Sequence, residues 1–178
     1  AIKRETANLA IAFEEHTVRT IKQMDEITLL LKRAFETRGP RPDLSRLSWE
    51  ARFKPEFVLV IAVADERGEV VASNVPIGQV NLGDREHFLR HKARDSGQLD
   101  IAKPMLGRVA GKWVIPMSRR INRPDGSFGG IVVVGVDPFY FSNFYKRIDL
   151  GRLGVVSLYG RDGIIRSRRS GLDEGVGQ

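Results

Sequence analysis

The sequence predicts an α+β fold: one long N-terminal helix, then an antiparallel five-stranded sheet with flanking helices, then a partial second module. Three observations predict it. Residues 2–37 hold no Gly or Pro and repeat apolar residues at close to helical spacing. Short β-branched runs follow, paired through Gly-containing turns such as Asp65-Glu66-Arg67-Gly68 and Arg123-Pro124-Asp125-Gly126. Two shorter segments, opening at Asp84 and at Pro138, have the start signals of helices.

The long helix carries Leu9, Phe13, Ile21, Met24, Ile27, Leu31 and Phe35 on one stripe, interrupted by Thr17 and Thr20, and Gly39-Pro40 ends it. At this length it spans roughly 54 Å. Its second half is expected to pack on the sheet. Its first half is expected to be more exposed or paired with a second copy of the chain. A loop at Pro40 and Pro42 and a short helix over Leu44–Phe53 come next. Phe57–Val63 and Glu69–Ser73 read as a hairpin, with Asp84 as N-cap of a helix over Arg85–Arg94. Gln98–Pro104, Lys112–Ile121 and Phe128–Asp137 read as three further strands, and Pro138 suits the first turn of a helix to about Ile148. A second hairpin, Val155–Tyr159 with Ile164–Arg168, copies the first in pattern. The expected organisation is a helix over 1–38, one module over 39–150 and the start of a truncated second module over 151–178, in a segment of a longer protein.

Composition narrows the function. Of the 178 residues 42% are hydrophobic, enough for a core and against disorder. No run of about 18 apolar residues occurs, so no segment is expected to span a bilayer. The absence of cysteine removes disulfides, thiol catalysis and Cys-based zinc sites together. His87 and His91 share a helix face, but no Glu of the metalloprotease pattern lies between them and no third ligand is evident. They read as helix-surface histidines, with no metal and no cofactor expected. The net charge is +7, and Ile101–Pro124 holds Lys103, Arg108, Lys112, Arg119, Arg120 and Arg123 without one acidic residue. Such a stretch suits a small anion, an anionic surface or DNA. No helix-turn-helix, zinc-finger or basic-zipper pattern accompanies it, so nucleic acid is not expected. No nucleophile elbow or phosphate-binding loop occurs, and Gly126-Ser127-Phe128-Gly129-Gly130 belongs to a hairpin turn, so the chain does not read as an enzyme.

Three runs in order carry a family resemblance: Asp84-Arg85-Glu86-His87-Phe88; Gly111-Lys112-Trp113-Val114-Ile115-Pro116-Met117-Ser118-Arg119-Arg120-Ile121 with Asp125-Gly126-Ser127-Phe128-Gly129-Gly130; and Val134-Gly135-Val136-Asp137-Pro138 with Tyr140-Phe141. Together they resemble the double-PDC, or dCache, extracytoplasmic sensor domains that precede bacterial diguanylate cyclases and sensor histidine kinases. The resemblance covers nearly the whole chain, most strongly residues 54–168. It implies a PAS-like sheet, a periplasmic location in an inner-membrane receptor, membrane anchoring of the full-length protein and a homodimer through the N-terminal helix.

The resemblance also implies a site. Amino-acid-binding members grip the ligand carboxylate with an Arg and an aromatic on the middle helix, and the ammonium with an Asp after the fifth strand. Arg85 takes the first position and Asp137 the last; His87 and Phe88 stand where the family often has Trp and Tyr. Met105-Leu106-Gly107 replaces the usual Tyr and Asp, a departure that favours an anion over an amino acid. The ligand-binding set expected is therefore Arg85, His87, Phe88, Met105, Trp113, Arg119 and Asp137, around a small anionic metabolite. A planar guanidinium suits a carboxylate through two parallel hydrogen bonds. Strand alternation puts Trp113, Ile115, Met117 and Arg119 on one face and Val114, Pro116, Ser118 and Arg120 on the other. Which face lines the pocket stays open, with Arg119 preferred. Two bland readings also stay open: Asp137 as N-cap of the last helix, and Arg85 in a surface ion pair. The alternative function is a structural, dimerisation or protein-interaction module with no small-molecule ligand.

Overall fold

A computed structural model describes residues 2–38, 55–145, 154–170 and 174–175. Helix α1 (Ile2–Arg38) is followed by strands β1 (Val58–Asp65) and β2 (Val70–Ser73), helix α2 (Glu86–Ala93), strands β3 (Asp100–Ile101), β4 (Met105–Leu106), β5 (Trp113–Asn122) and β6 (Phe128–Val136), and helix α3 (Pro138–Tyr145). Strands β7 (Val155–Tyr159), β8 (Ile165–Ser170) and β9 (Glu174–Gly175) complete the chain. The main sheet runs β2-β1-β6-β5-β3, with β4 paired to the start of β5, and every pairing is antiparallel. β7, β8 and β9 form a separate sheet. The strand expected over Gln98–Pro104 is two short pieces instead, β3 against the middle of β5 at Met117 and Ser118 and β4 against its start at Trp113 and Val114. The short helix expected over Leu44–Phe53 lies outside the described residues.

The three hairpin turns share one construction. Backbone N–H groups of Gly68, Gly126 and Gly163 donate to the carbonyls of Asp65, Arg123 and Gly160, each three residues back. All three glycines have positive φ (89°, 81° and 77°), the left-handed residue that closes this kind of hairpin loop. The first and last hairpins thus repeat each other in hydrogen bonding as well as in sequence.

The sheet is covered on both faces, which explains why β6 is apolar at nearly every position. Val132, Val134 and Val136 face α1, packing with Met24, Leu31, Phe35, Ile115, Met117 and Ile121. Ile131 and Val133 face α2, packing with Ala62, Ala64, Leu82 and Phe88. On α1 the buried seam is Phe13, Thr17, Thr20, Met24, Thr28, Leu31 and Phe35, a strict three-four spacing. Thr17 and Thr20 therefore do not interrupt the stripe; they belong to it. The hydroxyls of Thr20 and Thr28 donate to the carbonyls of His16 and Met24, so burial leaves neither unpaired. The first half of α1 is packed as well. Phe13 meets Phe144 edge-on, and His16 stacks on Phe144 with ring centroids 3.8 Å apart while its Nε2 lies 3.1 Å from the Tyr140 hydroxyl. Ile11 and Val18, seven residues apart, remain exposed on that half.

Candidate ligand-binding site

Between α2 and the sheet lies a hollow of about 40 Å³. It exists because the facing positions are small. Ala62 and Gly135 floor it, Gly107 and Ala110 close one side, and Val60, Val114, Pro116 and Val133 complete the apolar wall. A Cβ on Gly135 would stand 2.6 Å from Val60 Cγ1 and 3.1 Å from Val114 Cγ1, so even alanine there would crowd the floor. The space holds a few waters or one carboxylate group, well short of the several hundred Å³ of a drug-sized pocket.

Three polar groups meet at this hollow. Arg85 is the N-cap residue of α2, in extended conformation, and α2 has no side-chain cap. Its guanidinium is half-buried: Nη2 donates to the Leu106 carbonyl at 3.2 Å, and Nη1 lies 3.7 Å from Met105 Sδ. Burial, and then the positive charge of Arg108, pull its pKa down from the ordinary value; an arginine stays charged regardless. Among the described residues no carboxylate stands within ion-pair distance of Arg85. Arg108 is the second cation, with its Nη2 at 2.8 Å from Asp84 Oδ2, its Nη1 on Asp84 Oδ1, and a further bond from Nη1 to the Asn81 carbonyl at 2.9 Å. That grip holds the Asp84 carboxyl at about 2, and Asp84 stands one residue ahead of the α2 N-cap. The third group is His87, 3% exposed, with neither ring nitrogen hydrogen-bonded. Burial drives its pKa from 6.5 to about 4, so the imidazole is neutral at physiological pH.

The structure brings Arg85, His87 and Met105 together and sends the other expected residues elsewhere. Phe88 is in the core under α2, edge-on to Phe128 at 5.3 Å, and does not line the hollow. Trp113 stands at the start of β5, 46% exposed. Arg119 is on the α1 face: its Nη2 pairs with Asp25, its Nη1 donates to the Gly97 carbonyl at 2.6 Å, and its Nε approaches Thr28 Oγ1 at 3.4 Å. The face of β5 that lines the hollow is the Val114–Pro116 face, because α2 and not α1 covers it. Arg120, on that face, is taken up at the far end of α2, donating to the His91 carbonyl at 2.7 Å. Asp137 Oδ1 accepts from the Phe139 N–H at 2.9 Å, the bond of an N-cap for α3. His87 and His91 are buried rather than on the helix surface, and His91 Nε2 is 3.0 Å from Ser118 Oγ. No group of three or more potential metal ligands occurs among the described residues. Sequence reasoning passed over Arg108 as a site residue, although the acid-free run containing it was visible.

Solved structures give this geometry its context. No family model matches the chain, and no curated protein does either. The extracellular domain of rpHK1S-Z16, named as a histidine kinase, superposes with a TM-score of 0.86 at 30% identity, over 99% of this chain and 75% of that one. The chain belongs to the extracytoplasmic PDC-type sensor domains. An extracellular ligand-binding receptor from Desulfohalobium retbaense shares the fold at TM-score 0.70 and 20% identity, over 87% of the sensor domain and 29% of the receptor. The ligand-binding domain of the Pseudomonas aeruginosa amino-acid chemoreceptor PctC, solved with GABA, shares it at 0.65 and 13%, over 93% and 74%. The long helix, the antiparallel sheet and its flanking helices are thus the fold of these sensors.

Proposed function

We propose that the sensor domain binds a small organic carboxylate in the hollow between α2 and the sheet, with the carboxylate on Arg85 and His87 beside it. The observation that carries this reading is a half-buried guanidinium, whose neighbour Asp84 is held by Arg108, next to a buried imidazole that has no hydrogen-bond partner. Buried polar groups are nearly always satisfied, and an orphan imidazole at a cavity points to a ligand or water that completes it. No carboxylate lines the hollow among the described residues, and Asp137 is occupied at α3. An ammonium would meet two arginines, and the one carboxylate beside them, Asp84, is already held by Arg108. The reading therefore favours a plain carboxylate over a zwitterionic amino acid. The small volume admits the head group; a longer body would lie along the rim formed by Met105 and Arg108.

We read the domain as a binder without catalysis, anchored to the membrane in its full-length parent and dimeric through α1. Ile11 and Val18 support the last point, because they expose a short apolar stripe on a helix otherwise packed along its seam. Ligand binding would act by favouring one of two dimer arrangements, which requires unequal affinity for the two.

Calorimetry with lactate, pyruvate and propionate against alanine tests the site. At least one carboxylate should bind more tightly than alanine. Arg85→Ala should weaken it roughly tenfold to a hundredfold, the worth of a charge-assisted hydrogen bond. No binding by any of them, or binding unchanged in Arg85→Ala, refutes the assignment. Single-cysteine variants at 11 or 18, clean because the chain has no cysteine of its own, test the dimer: no disulfide between copies at either position refutes it.

A further inference from the structure

A second hollow lies on the opposite face of the sheet, and the carboxylate site under α2 makes no use of it. Its volume is about 530 Å³, within the range of small-molecule sites. The main sheet, α1 and α3 supply Ile21, Ile101, Ile115, Met117 and Phe141, and the second hairpin supplies Leu158. Strand β5 thus walls both hollows, with Val114 and Pro116 turned to one and Ile115 and Met117 to the other.

The buried charged group of this hollow is Arg166, on β8. It is 5% exposed. Its Nη2 donates to Asp162 Oδ2 at 2.8 Å and approaches the Ile101 carbonyl at 3.5 Å, and its Nη1 donates to the Ile164 carbonyl at 3.0 Å. The guanidinium therefore ties the second hairpin to the edge strand β3 of the main sheet. Its Nε is buried and has no hydrogen-bond partner. Gly160 makes room for it: a Cβ there would sit 2.5 Å from Nη2 and 2.6 Å from Cζ. Tyr159 and Arg161, both exposed, stand at the mouth. The chamber is walled mainly by apolar side chains, with one buried guanidinium and the exposed Gln98 and Arg161 as further polar groups. It fits a molecule with an apolar body and a single anionic oxygen group.

We propose that this chamber is a second ligand site, taking an amphiphilic monocarboxylate whose head lies at the Arg166 guanidinium and whose apolar body lies against Ile115, Met117, Phe141 and Leu158. Because its walls come from both sheets, an occupant joins the β7–β8 hairpin to the main sheet. Occupancy is then read as a change in how firmly that hairpin is held. The site stands on residues separate from Arg85 and does not need the first site to be correct.

The test uses octanoate as the probe and the neutral octanol as its control, by calorimetry and by amide hydrogen exchange on the 178-residue chain. Octanoate should bind wild type and Arg85→Ala alike. Octanol should bind at least about tenfold more weakly, the loss of the head-group bond. Arg166→Gln and Leu158→Trp should each weaken octanoate by at least about tenfold, the second by filling the chamber while leaving the Arg166–Asp162 pair in place. Octanoate should also slow exchange of the β7 and β8 amides. Failure of octanoate to bind overturns the proposal. Binding that ignores both Arg166→Gln and Leu158→Trp overturns it as well. Loss of octanoate binding in Arg85→Ala alone would move the probe to the first site and overturn the second.

Discussion

Lowering the pH tests His87 most directly. The ring is buried with no hydrogen-bond partner, and its pKa is depressed from 6.5 to about 4. Desolvation is the main cause; Arg90, His91 and Arg85 add repulsion, and Asp100 pulls the other way. Between pH 6.5 and pH 4 the unfolded chain holds a proton on this residue that the folded chain refuses. Stability therefore rises with pH across that window and is lost as pH falls through it. A displacement of this size corresponds to about 2 kcal/mol lost by pH 5 and about 3 kcal/mol below pH 4. The perturbation is His87→Phe, which keeps a flat ring of similar size and cannot be protonated. Urea unfolding followed by circular dichroism at pH 7 and pH 5 gives the two stabilities. His91, whose pKa burial also lowers, contributes to the slope of both proteins and cancels in the comparison. Wild type should lose about 2 kcal/mol more than the variant on acidification. Equal losses would mean that the His87 ring is solvated or partnered, and the orphan imidazole would disappear from the account of the site.

Further outcomes follow from the same contacts. A carboxylate arriving beside His87 should raise the pKa of the ring, so calorimetry at pH 5 in buffers of different ionisation enthalpy should reveal proton uptake on binding; at pH 8 it should vanish. Phe88→Ala should destabilise the fold by about 3–5 kcal/mol, the cost of emptying a buried aromatic site, whereas Trp113→Ala at an exposed position should cost less than about 1 kcal/mol and leave carboxylate binding unchanged. A double-mutant cycle over Asp25→Ala and Arg119→Met should give a coupling of about 1 kcal/mol in thermal or urea unfolding. The modest size follows from Asp25, which is half-exposed although Arg119 is buried. A coupling near zero would show that the Gly97 carbonyl and Thr28 hold Arg119 without Asp25.

Local chemistry was legible in the sequence wherever a residue type dictates its own backbone. α1 runs as far as Arg38, the last residue before the Gly-Pro pair of the sequence, the three glycine-bearing turns make hairpins, and β-branched runs make β1 and β6. The ordered motifs around Asp84, Trp113 and Asp137 were enough to suggest the sensor family. The site was only partly legible. A strand's period of two separates its side chains into two faces and is silent about which helix covers each. The choice between the Arg119 face and the Pro116 face was therefore undetermined until α1 and α2 were placed. Arg119 found its partner at Asp25, on a helix that precedes it by most of the chain. Asp84, the expected cap of α2, stands one residue ahead of the N-cap, with its carboxylate held by Arg108 from the loop after β4.

By itself, then, the sequence determined the elements, their order and the turns that join them, because those depend on near neighbours and on each residue's own φ and ψ preferences. Only the tertiary structure decided which cations are spent and which are left over. A guanidinium is a ligand group when its donors lack acceptors, and that depends on distant residues that packing brings within hydrogen-bond reach. Arg119 and Arg120 were consumed in holding the fold, while Arg85 was left lining the hollow under α2 beside His87, whose ring nitrogens have no partner.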